Sequence, residues 1–331
     1  RCESRTVRLR VGGQPAIPRF VLRSLACRLF VSSVRRPLHP CLFSSYRNMA
    51  TETRPTFKIA LLQLAVGADK PANLENAAAK IKEAASNGAK VVVLPECFNC
   101  PYGNTFFPQY AEDVKSGDSP SAAMLASAAK DSKVFVVGGS IPERDGDQLF
   151  NTSLTFDPEG QCVGKHRKVH LFDIDIPGGI CFKESETLTA GKDLTVIDMG
   201  FARIGVGICY DIRFPELAQI YRHKHGCDLL VYPGAFNMTT GPKHWELLQR
   251  ARAVDNQLYV AAVSPARDSS AGYVAWGHST LVGPWGDVLA TTEDAATIVY
   301  ADVDLAAVTQ VRAQVPTSLQ RRTDLYDVVA K

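Results

Sequence analysis

Cys209 stands where the sequence predicts a sharp turn between a buried strand and a helix. The mostly apolar run 203–208 before it is typical of a short strand. Pro215, followed by Glu216 and Leu217, is typical of a helix start. A thiol at such a turn lies near backbone N–H groups and a helix N-terminus, which favours a nucleophilic thiolate. The alternative is a small buried hydrophobic side chain, which is the usual role of a cysteine at a strand end.

Two ionisable residues elsewhere in the chain suggest partners for this thiol. Glu96 directly follows the apolar run 91–95, at the carboxyl end of a predicted strand, where α/β folds place ligand sites. Lys168 belongs to the segment 165–172, in which five of eight residues are ionisable. The alternatives are a solvated loop acid and a basic surface loop.

Alternating strand and helix signals predict the elements that position these residues. They begin at residue 57 and indicate one α/β domain, 57–315, with helices covering buried sheets and a C-terminal tail, 316–331. The predicted strands are 57–66, 90–94, 134–137, 151–156, 194–197, 203–209, 228–232, 259–263, 278–282, 287–290 and 297–303. The predicted helices are 71–86, 121–131, 216–225, 244–254 and 305–311.

The net charge of +3 conceals two differently charged parts of the chain. Residues 1–48 carry ten arginines, no lysine and one acid, so this segment is +9 and the remainder is −6. A mildly acidic body with scattered charges lacks the basic footprint of a nucleic-acid-binding protein. No apolar run approaches the roughly 18 residues that span a bilayer, so we predict no association with a membrane.

The first 48 residues have the composition of an organellar transit peptide. They are rich in arginine, contain six serines, and can form a basic amphipathic helix at 18–30. The chain begins with Arg1, however, and Met49 is a plausible start of translation. The alternatives are therefore a mitochondrial leader or an extension that the functional, cytoplasmic protein lacks. Nine cysteines without a framework spacing indicate free thiols in a reducing compartment.

The segments around Glu96, Lys168 and Cys209, taken in order, resemble the motifs of the nitrilase superfamily of carbon–nitrogen hydrolases. The resemblance runs from about residue 57 to about residue 304. It includes five further segments: 178–185, 214–217, 241–246, 250–256 and 277–279. It implies a four-layer α-β-β-α sandwich, a homodimer, and an enzyme that needs no metal or organic cofactor.

The resemblance also implies roles for individual residues. Cys209 is the implied nucleophile, and Lys168 the cation that favours the thiolate and then the tetrahedral oxyanion. Glu96 is the implied proton carrier between the thiol, the departing ammonia and the attacking water. The N–H of Tyr210 is the implied second oxyanion donor, and Glu184 is implied to have a supporting, positioning role.

Three segments, 170–175, 232–242 and 264–268, resemble the omega-amidase branch of the superfamily. Omega-amidases hydrolyse the terminal amide of 2-oxoglutaramate and 2-oxosuccinamate and release ammonia. Arg213 is a candidate to bind the carboxylate of such a substrate. The alternative for Arg213 is a structural ion pair with Glu216 or another acid.

Other functions within and beyond this branch remain open at this point. The deaminated glutathione amidase branch is the main alternative, although it usually has serine where this chain has Gly234. A carbamoyl-amine hydrolase is more distant. A catalytically inactive binding or scaffold protein is the alternative from another class, and the intact set of Glu96, Lys168 and Cys209 argues against it.

We predict neither a metal site nor a redox function. Cys97 and Cys100 form a C-x-x-C pair, but no second pair stands at a zinc-like spacing. Of two histidine pairs, His166 with His170 lies in a basic stretch without a nearby acid ligand, and His223 with His225 flanks Lys224. The second pair lies at a predicted helix end, where a positive charge would complement the helix dipole.

Overall fold

Two β-sheets packed face to face form the centre of the fold, and helices cover the outer face of each sheet. The computed structural model describes residues 54–331, and the predicted leader, 1–48, lies outside the described residues. The strands of the first sheet are β1 (Thr56–Gln63), β2 (Val91–Val93), β3 (Phe135–Val137), β4 (Ile141–Asp145), β5 (Gln148–Phe156), β6 (Cys162–Arg167) and β15 (Thr297–Asp304). Their order is β15-β1-β2-β3-β5-β4, with β6 also paired to β5.

The second sheet repeats the plan of the first, with three parallel strands at its centre. Its order is β14-β13-β12-β11-β10-β9. Its strands are β9 (Thr195–Asp198), β10 (Arg203–Val206), β11 (Leu229–Pro233), β12 (Tyr259–Val263), β13 (Thr280–Val282) and β14 (Val288–Thr291). A separate hairpin pairs β7 (Asp173–Asp175) with β8 (Cys181–Lys183). The parallel trios are β1-β2-β3 and β10-β11-β12, so the carboxyl ends of each trio share one edge of its sheet.

The helices lie on the outer faces of the sheets or beyond them. They are α1 (Lys70–Ser86), α2 (Phe107–Tyr110), α3 (Pro120–Ser132), α4 (Pro215–His223), α5 (Gly241–Asn256), α6 (Leu305–Gln314) and α7 (Thr317–Gln320). Two short 3-10 helices are Glu184–Glu186 and Cys209–Arg213. In the described part of the chain, no helix combines the length and the apolar character that crossing a membrane would demand.

Alternate side chains of β1 pack into two different apolar cores, one on each face of the sheet. Ile59 and Leu61 belong to the apolar core between the sheets. Ala60 and Leu62 point the other way, into a second core that also contains Ile81 of α1. Fully burying such a side chain contributes about 1.5–3 kcal/mol. A third core joins the second sheet to α4 and α5. These three cores separate four layers, which confirms the predicted α-β-β-α sandwich.

Strand β10 ends at Val206, so the predicted strand 203–209 is three residues too long. Cys209 instead begins the 3-10 helix Cys209–Arg213, with a φ of 47°. Left-handed backbone of this kind costs a residue with a Cβ about 1–3 kcal/mol, and it is concentrated at functional sites. Helix α4 then begins at Pro215, so the predicted sharp turn between strand and helix is confirmed.

The segment before Lys168 forms a strand, β6, that the sequence pattern concealed. Lys165 and Arg167 both bind the buried carboxylate of Glu143 on β4. His166 and Lys168 point the other way and are buried, with exposures of 1% and 0%. Side chains in this charged run therefore alternate between the two faces of a strand. The alternative of a basic surface loop is wrong for Lys168.

Candidate active site

Glu96, Lys168 and Cys209 meet at the edge of the sandwich where the central strands end. Each follows a strand: Glu96 follows β2, Lys168 follows β6 and Cys209 follows β10. All three are buried, and Lys168 Nζ donates to Glu96 Oε1 at 3.0 Å. The thiol of Cys209 lies close enough to affect the pKa of both other groups. The structure thus brings together the three residues that the resemblance implied as a triad.

Lys168 is a buried cation held between two carboxylates. Its Nζ donates to Glu184 Oε1 at 2.9 Å as well as to Glu96. Burial opposes the charged form, but the negative charges of Glu184 and Glu96 outweigh it and raise the pKa of Lys168 well above its usual value. The ammonium therefore stays charged at neutral pH and provides a fixed positive charge beside Cys209.

The two carboxylate oxygens of Glu96 have different surroundings. Oε1 accepts from Lys168 and from the side-chain amide of Asn151, the latter at 2.8 Å. Oε2 is buried and has no hydrogen-bond partner among residues 54–331. Burial raises the pKa of Glu96, and the charge of Lys168 only partly offsets that effect. Oε2 is thus the oxygen that is free to exchange a proton with a group at Cys209.

The resting thiol of Cys209 is protonated. Burial raises the pKa of Cys209 well above its usual value, and the negative charge of Glu96 adds to this shift. Lys168 favours the thiolate, as expected from the sequence, but its effect is the smaller one. Attack by the sulfur therefore requires a base that removes the proton, and Glu96 lies beside it.

Asp211 connects the turn at Cys209 to the end of β6 through hydrogen bonds. Its Oδ2 accepts the Ile208 N–H at 2.9 Å and His166 Nε2 at 3.2 Å. Its Oδ1 accepts the N–H of His170 at 2.9 Å and Nδ1 of the same ring at 2.8 Å. Burial would raise the pKa of Asp211, but these hydrogen bonds hold it far below its usual value. Asp211 is therefore the acid that the sequence did not reveal beside His166 and His170.

Glu184 is the second carboxylate that accepts from Lys168. Its Oε1 accepts from Lys168 and, at 2.5 Å, from the hydroxyl of Tyr102. Its Oε2 accepts the Phe172 N–H at 2.7 Å. Glu184 therefore contacts Lys168 directly, and the supporting, positioning role implied for it stays a prediction. The sequence did not single out Tyr102 or Asn151, since neither belongs to a charged or repeated pattern.

Arg213 lies beside Cys209 without a carboxylate partner among the described residues. Its Nη1 lies 3.1 Å from Nδ1 of His244, and its guanidinium lies 4.7 Å from the ring centroid of Phe236. Its Nε is buried without a hydrogen-bond partner in the same part of the chain. The structural alternative, an ion pair with Glu216 or another described acid, is therefore wrong.

Two neighbouring cavities reach the site. A narrow cavity of about 10 Å³ is lined by Cys209, Arg213 and Phe236, among others. A larger one, about 250 Å³, reaches Glu96 and Tyr102. Ala235 and Tyr273 line both cavities. The two cavities therefore adjoin at Ala235 and Tyr273, and the narrow one has room for about one water molecule.

Tyr210 is the second residue of the 3-10 helix Cys209–Arg213. The first N–H groups of a helix have no partner within it and point toward its N-terminus, so the Tyr210 N–H can reach a group bound at Cys209. Its ring packs against Phe172, with 5.3 Å between the centroids. The oxyanion role of this N–H stays a prediction.

The remaining cysteine and histidine pairs do not form a recognisable metal site within residues 54–331. Cys97 and Cys100 are buried free thiols, and a hydrogen bond to Cys100 together with burial raises the pKa of Cys97 well above its usual value. His223 lies in the last turn of α4, but burial and nearby arginines lower its pKa to about 4. The expected positive charge of His223 at this helix end is therefore wrong at neutral pH.

Comparison with known proteins gives a consistent family match. Residues 58–313 match the family model described as carbon-nitrogen hydrolase. An omega-amidase named NIT2 from Bos taurus is 58% identical over 276 residues, which cover 83% of this chain and 99% of the relative. A chloroplastic omega-amidase from Arabidopsis thaliana is 60% identical over 275 residues, covering 82% of this chain and 74% of the relative.

Solved structures show the same fold. Saccharomyces cerevisiae Nit3, described as a member of branch 10 of the nitrilase superfamily, matches with a TM-score of 0.75 and 44% identity over 81% of this chain and 97% of its own. An amidase from Nesterenkonia sp. AN1, in a form carrying the acetamide moiety of fluoroacetamide on its active-site cysteine, matches with a TM-score of 0.66 and 25% identity. That match covers 81% of this chain and 95% of the amidase.

Proposed function

Because the chain belongs to the carbon–nitrogen hydrolase family, an amidase family acting on C–N bonds, we propose that it is an omega-amidase. Its substrates would be the terminal amides of 2-oxo dicarboxylic acids, such as 2-oxoglutaramate and 2-oxosuccinamate. Relatives at 58% and 60% identity carry the name omega-amidase. The observation that carries the substrate choice is Arg213, a cation beside Cys209 with no described carboxylate partner. The carboxylate of an acidic amide would be that partner.

Substrate binding in this proposal uses the charge of Arg213 and the aromatic rings around it. The narrow cavity between Arg213 and Cys209 is lined by Phe172, Phe236 and Tyr273. Placing the carboxylate on Arg213 sets the amide carbon near the sulfur, and the rest of the substrate would extend into the adjoining larger cavity, because the narrow one has room for about one water molecule. Binding energy from the remote carboxylate thereby orients the reacting group.

Acylation begins when Glu96 Oε2 removes the proton of the Cys209 thiol and the sulfur attacks the amide carbon. Lys168 Nζ and the N–H of Tyr210 stabilise the oxyanion that forms, and each such donor typically contributes about 2.7–4 kcal/mol. The C–N bond then breaks, and Glu96 gives its proton to the departing nitrogen, which leaves as ammonia. A thioester on Cys209 remains.

Deacylation reverses these roles with water in place of ammonia. The larger cavity reaches Glu96, so water can approach the carboxylate through it. Glu96 takes a proton from this water as its oxygen attacks the thioester carbon. The second oxyanion again faces Lys168, the C–S bond breaks, and the 2-oxo dicarboxylic acid leaves. The sulfur regains its proton from Glu96.

The direct test is ammonia release measured as kcat/KM on one enzyme preparation. The panel contains 2-oxoglutaramate, deaminated glutathione, an uncharged aliphatic amide and a carbamoyl amine. We expect 2-oxoglutaramate to exceed the uncharged amide by about 10²-fold, since charge-assisted hydrogen bonds contribute about 1.5–3 kcal/mol. Arg213→Met should remove most of this advantage.

Each other outcome of the panel identifies a different alternative. Faster turnover of deaminated glutathione would move the chain to the neighbouring amidase branch. Preference for the carbamoyl amine would indicate a carbamoyl-amine hydrolase. Absence of ammonia release from every substrate by a folded preparation would favour a binding or scaffold protein and would contradict the proposal.

We further propose that two copies of the chain pair through the outer face of α5 and the β13–β14 hairpin. Leu247 and Trp285 are 63% and 54% exposed there, and Val254 and Leu289 are also exposed. Arg250 Nε donates to the Gly286 carbonyl at 2.9 Å, which fixes the hairpin against the helix. An exposed apolar face of this kind suits an isologous dimer. Light scattering should give a dimer that Leu247→Asp shifts toward the monomer.

For the parts of the chain around the hydrolase domain we propose the boundaries expected from sequence. Residues 57–315 form the hydrolase domain, 316–331 a tail, and 1–48 an organellar leader. The arginine-rich composition of 1–48 supports the leader, and one relative is a chloroplastic protein. A fusion of 1–48 to a fluorescent protein tests this assignment. Import into an organelle would support it, and a diffuse cytoplasmic signal would favour initiation at Met49.

A further inference from the structure

His244, in the first turn of α5, contacts the guanidinium of Arg213 through one ring nitrogen. Nη1 of Arg213 lies 3.1 Å from Nδ1 of His244. A guanidinium can only donate, so Nδ1 accepts this hydrogen bond and the ring proton lies on Nε2. Burial and the positive charges of Arg213 and Lys243 lower the pKa of His244. The ring is therefore neutral at pH 7, as the acceptor role requires.

The other contacts of Arg213 locate its guanidinium but do not orient it. The guanidinium lies 4.7 Å from the Phe236 ring centroid and 5.4 Å from that of Tyr210. An aromatic face attracts a cation with little preference for which N–H groups point where. Nε has no partner among residues 54–331, so His244 is the one polar side chain there that sets the rotation of the group.

We propose that His244 is a positioning residue that gives the enzyme its preference for anionic amides. By accepting from Nη1, it turns the remaining N–H groups of Arg213 toward the narrow cavity beside Cys209. His244 does not line that cavity, whereas Arg213 does, so His244 acts through the arginine. This inference rests on the proposed function, in which Arg213 binds the carboxylate of the substrate.

The proposal requires a particular kinetic signature. An arginine held in its binding orientation loses less entropy when a carboxylate arrives. Loss of His244 should therefore raise KM for a substrate that carries the carboxylate and leave kcat nearly unchanged. A substrate without that charge should bind equally well with or without His244. A general loosening of α5 would instead affect both substrates alike.

The test compares three variants on a matched pair of substrates. His244→Asn retains an acceptor, because the amide oxygen of asparagine takes nearly the position of Nδ1. His244→Leu has a similar size without an acceptor, and His244→Ala is a second acceptor-free variant that favours the helix. The substrates are 2-oxoglutaramate and its methyl ester at the carboxylate, compared by the ratio of their kcat/KM values. Circular dichroism verifies that each variant is folded.

We expect His244→Leu and His244→Ala to lower this ratio about tenfold through KM, and His244→Asn to keep it within about twofold. An unchanged ratio in the acceptor-free variants, or an equal loss in His244→Asn, overturns the proposal. Arg213→Met is the reference for the proposed function. If Arg213→Met lowers the ratio while His244→Leu does not, only the role of His244 fails. If Arg213→Met keeps the ratio, the assignment of Arg213 as the binding site of the substrate carboxylate is wrong.

Discussion

At the scale of single residues, the proposed mechanism moves one negative charge through the site without creating another. Before attack, the charge resides on Glu96, which accepts from Lys168 at 3.0 Å. When Glu96 takes the proton of Cys209, the charge passes to the sulfur and then to the oxyanion. Lys168 stays beside it throughout, so the buried site never holds an additional unpaired charge, which would cost several kcal/mol.

Replacing Lys168 should therefore affect the rate more than substrate binding. We expect Lys168→Met to lower kcat about 10²–10³-fold with a smaller change in KM, because the oxyanion exists only on the way to the intermediate. Lys165→Met is the matched control, since Lys165 binds Glu143 on the outward side of the same strand. Steady-state kinetics on both variants checks this, and an equal loss of kcat in the control would contradict it.

Gly234 packs closely against the backbone of Cys209. A Cβ at this position would lie 3.3 Å from Cys209 Cα and 3.2 Å from the Trp245 ring. We expect Gly234→Ser to displace the strained turn and lower kcat/KM for 2-oxoglutaramate about tenfold or more. Gly234→Ala adds the same Cβ without a hydroxyl, so it should lose a similar amount. A normal rate in Gly234→Ala would show that crowding is not the cause.

The sequence revealed the residues that stand in contiguous motifs and missed those that join the site from afar. Glu96, Lys168 and Cys209 each follow a recognisable apolar or charged run. Asn151 and Tyr102 touch their carboxylates across separations of 55 and 82 positions. A polar side chain within a strand or loop carries no local signal of such a contact, so only the folded chain reveals it.

At the scale of elements, Asp211 determines how β6 and the turn after β10 face each other. Its carboxylate takes two hydrogen bonds from His170, one from His166 and one from Ile208. Lys168 is the middle one of the three residues between the two histidines, and Cys209 directly follows Ile208. The hydrogen bonds of Asp211 therefore help to fix the position of Lys168 relative to Cys209.

Asp211→Asn should misplace these elements without preventing folding, because the amide oxygen can accept two hydrogen bonds but not four, and the NH2 group can only donate. We expect kcat to fall about 10²-fold with little change in KM. Alkylation of Cys209 by iodoacetamide should also change in rate and in pH profile. Asp228→Asn is the matched control, as Asp228 is a buried acid bound to Arg54 and Arg312 at another place. Loss of the Asp228 carboxylate should lower the melting temperature. The folded variant should keep the wild-type kcat and the wild-type alkylation of Cys209.

Element prediction succeeded where the hydrophobic pattern was regular and failed where charge masked it. Helix α1 and strand β12 lie within one residue of their expected bounds, because Gly88 and the apolar run 259–263 mark them. Strands β4 and β6 were missed, since Glu143, Lys165 and Arg167 read as surface charge. Their charges neutralise each other on one face, which makes a strand stable there.

At the scale of the whole molecule, the sandwich provides the site by joining two similar sheets. Glu96 comes from the first sheet and Cys209 from the second, each after the end of a central parallel strand. Alternation of strands and helices in the sequence predicts only an α/β domain. The pairing of two sheets into four layers came from the family resemblance, because local patterns do not specify which sheet faces to pack together.

The central claim is that Cys209 carries the acyl group of an acidic amide during turnover. The most direct measurement is rapid acid quenching of the enzyme with 2-oxoglutaramate, followed by mass spectrometry of its peptides. The account predicts a thioester on the peptide containing Cys209, formed as ammonia is released, and no adduct or turnover in folded Cys209→Ala. An adduct on another residue, or ammonia release by Cys209→Ala at more than a trace of the wild-type rate, would contradict it.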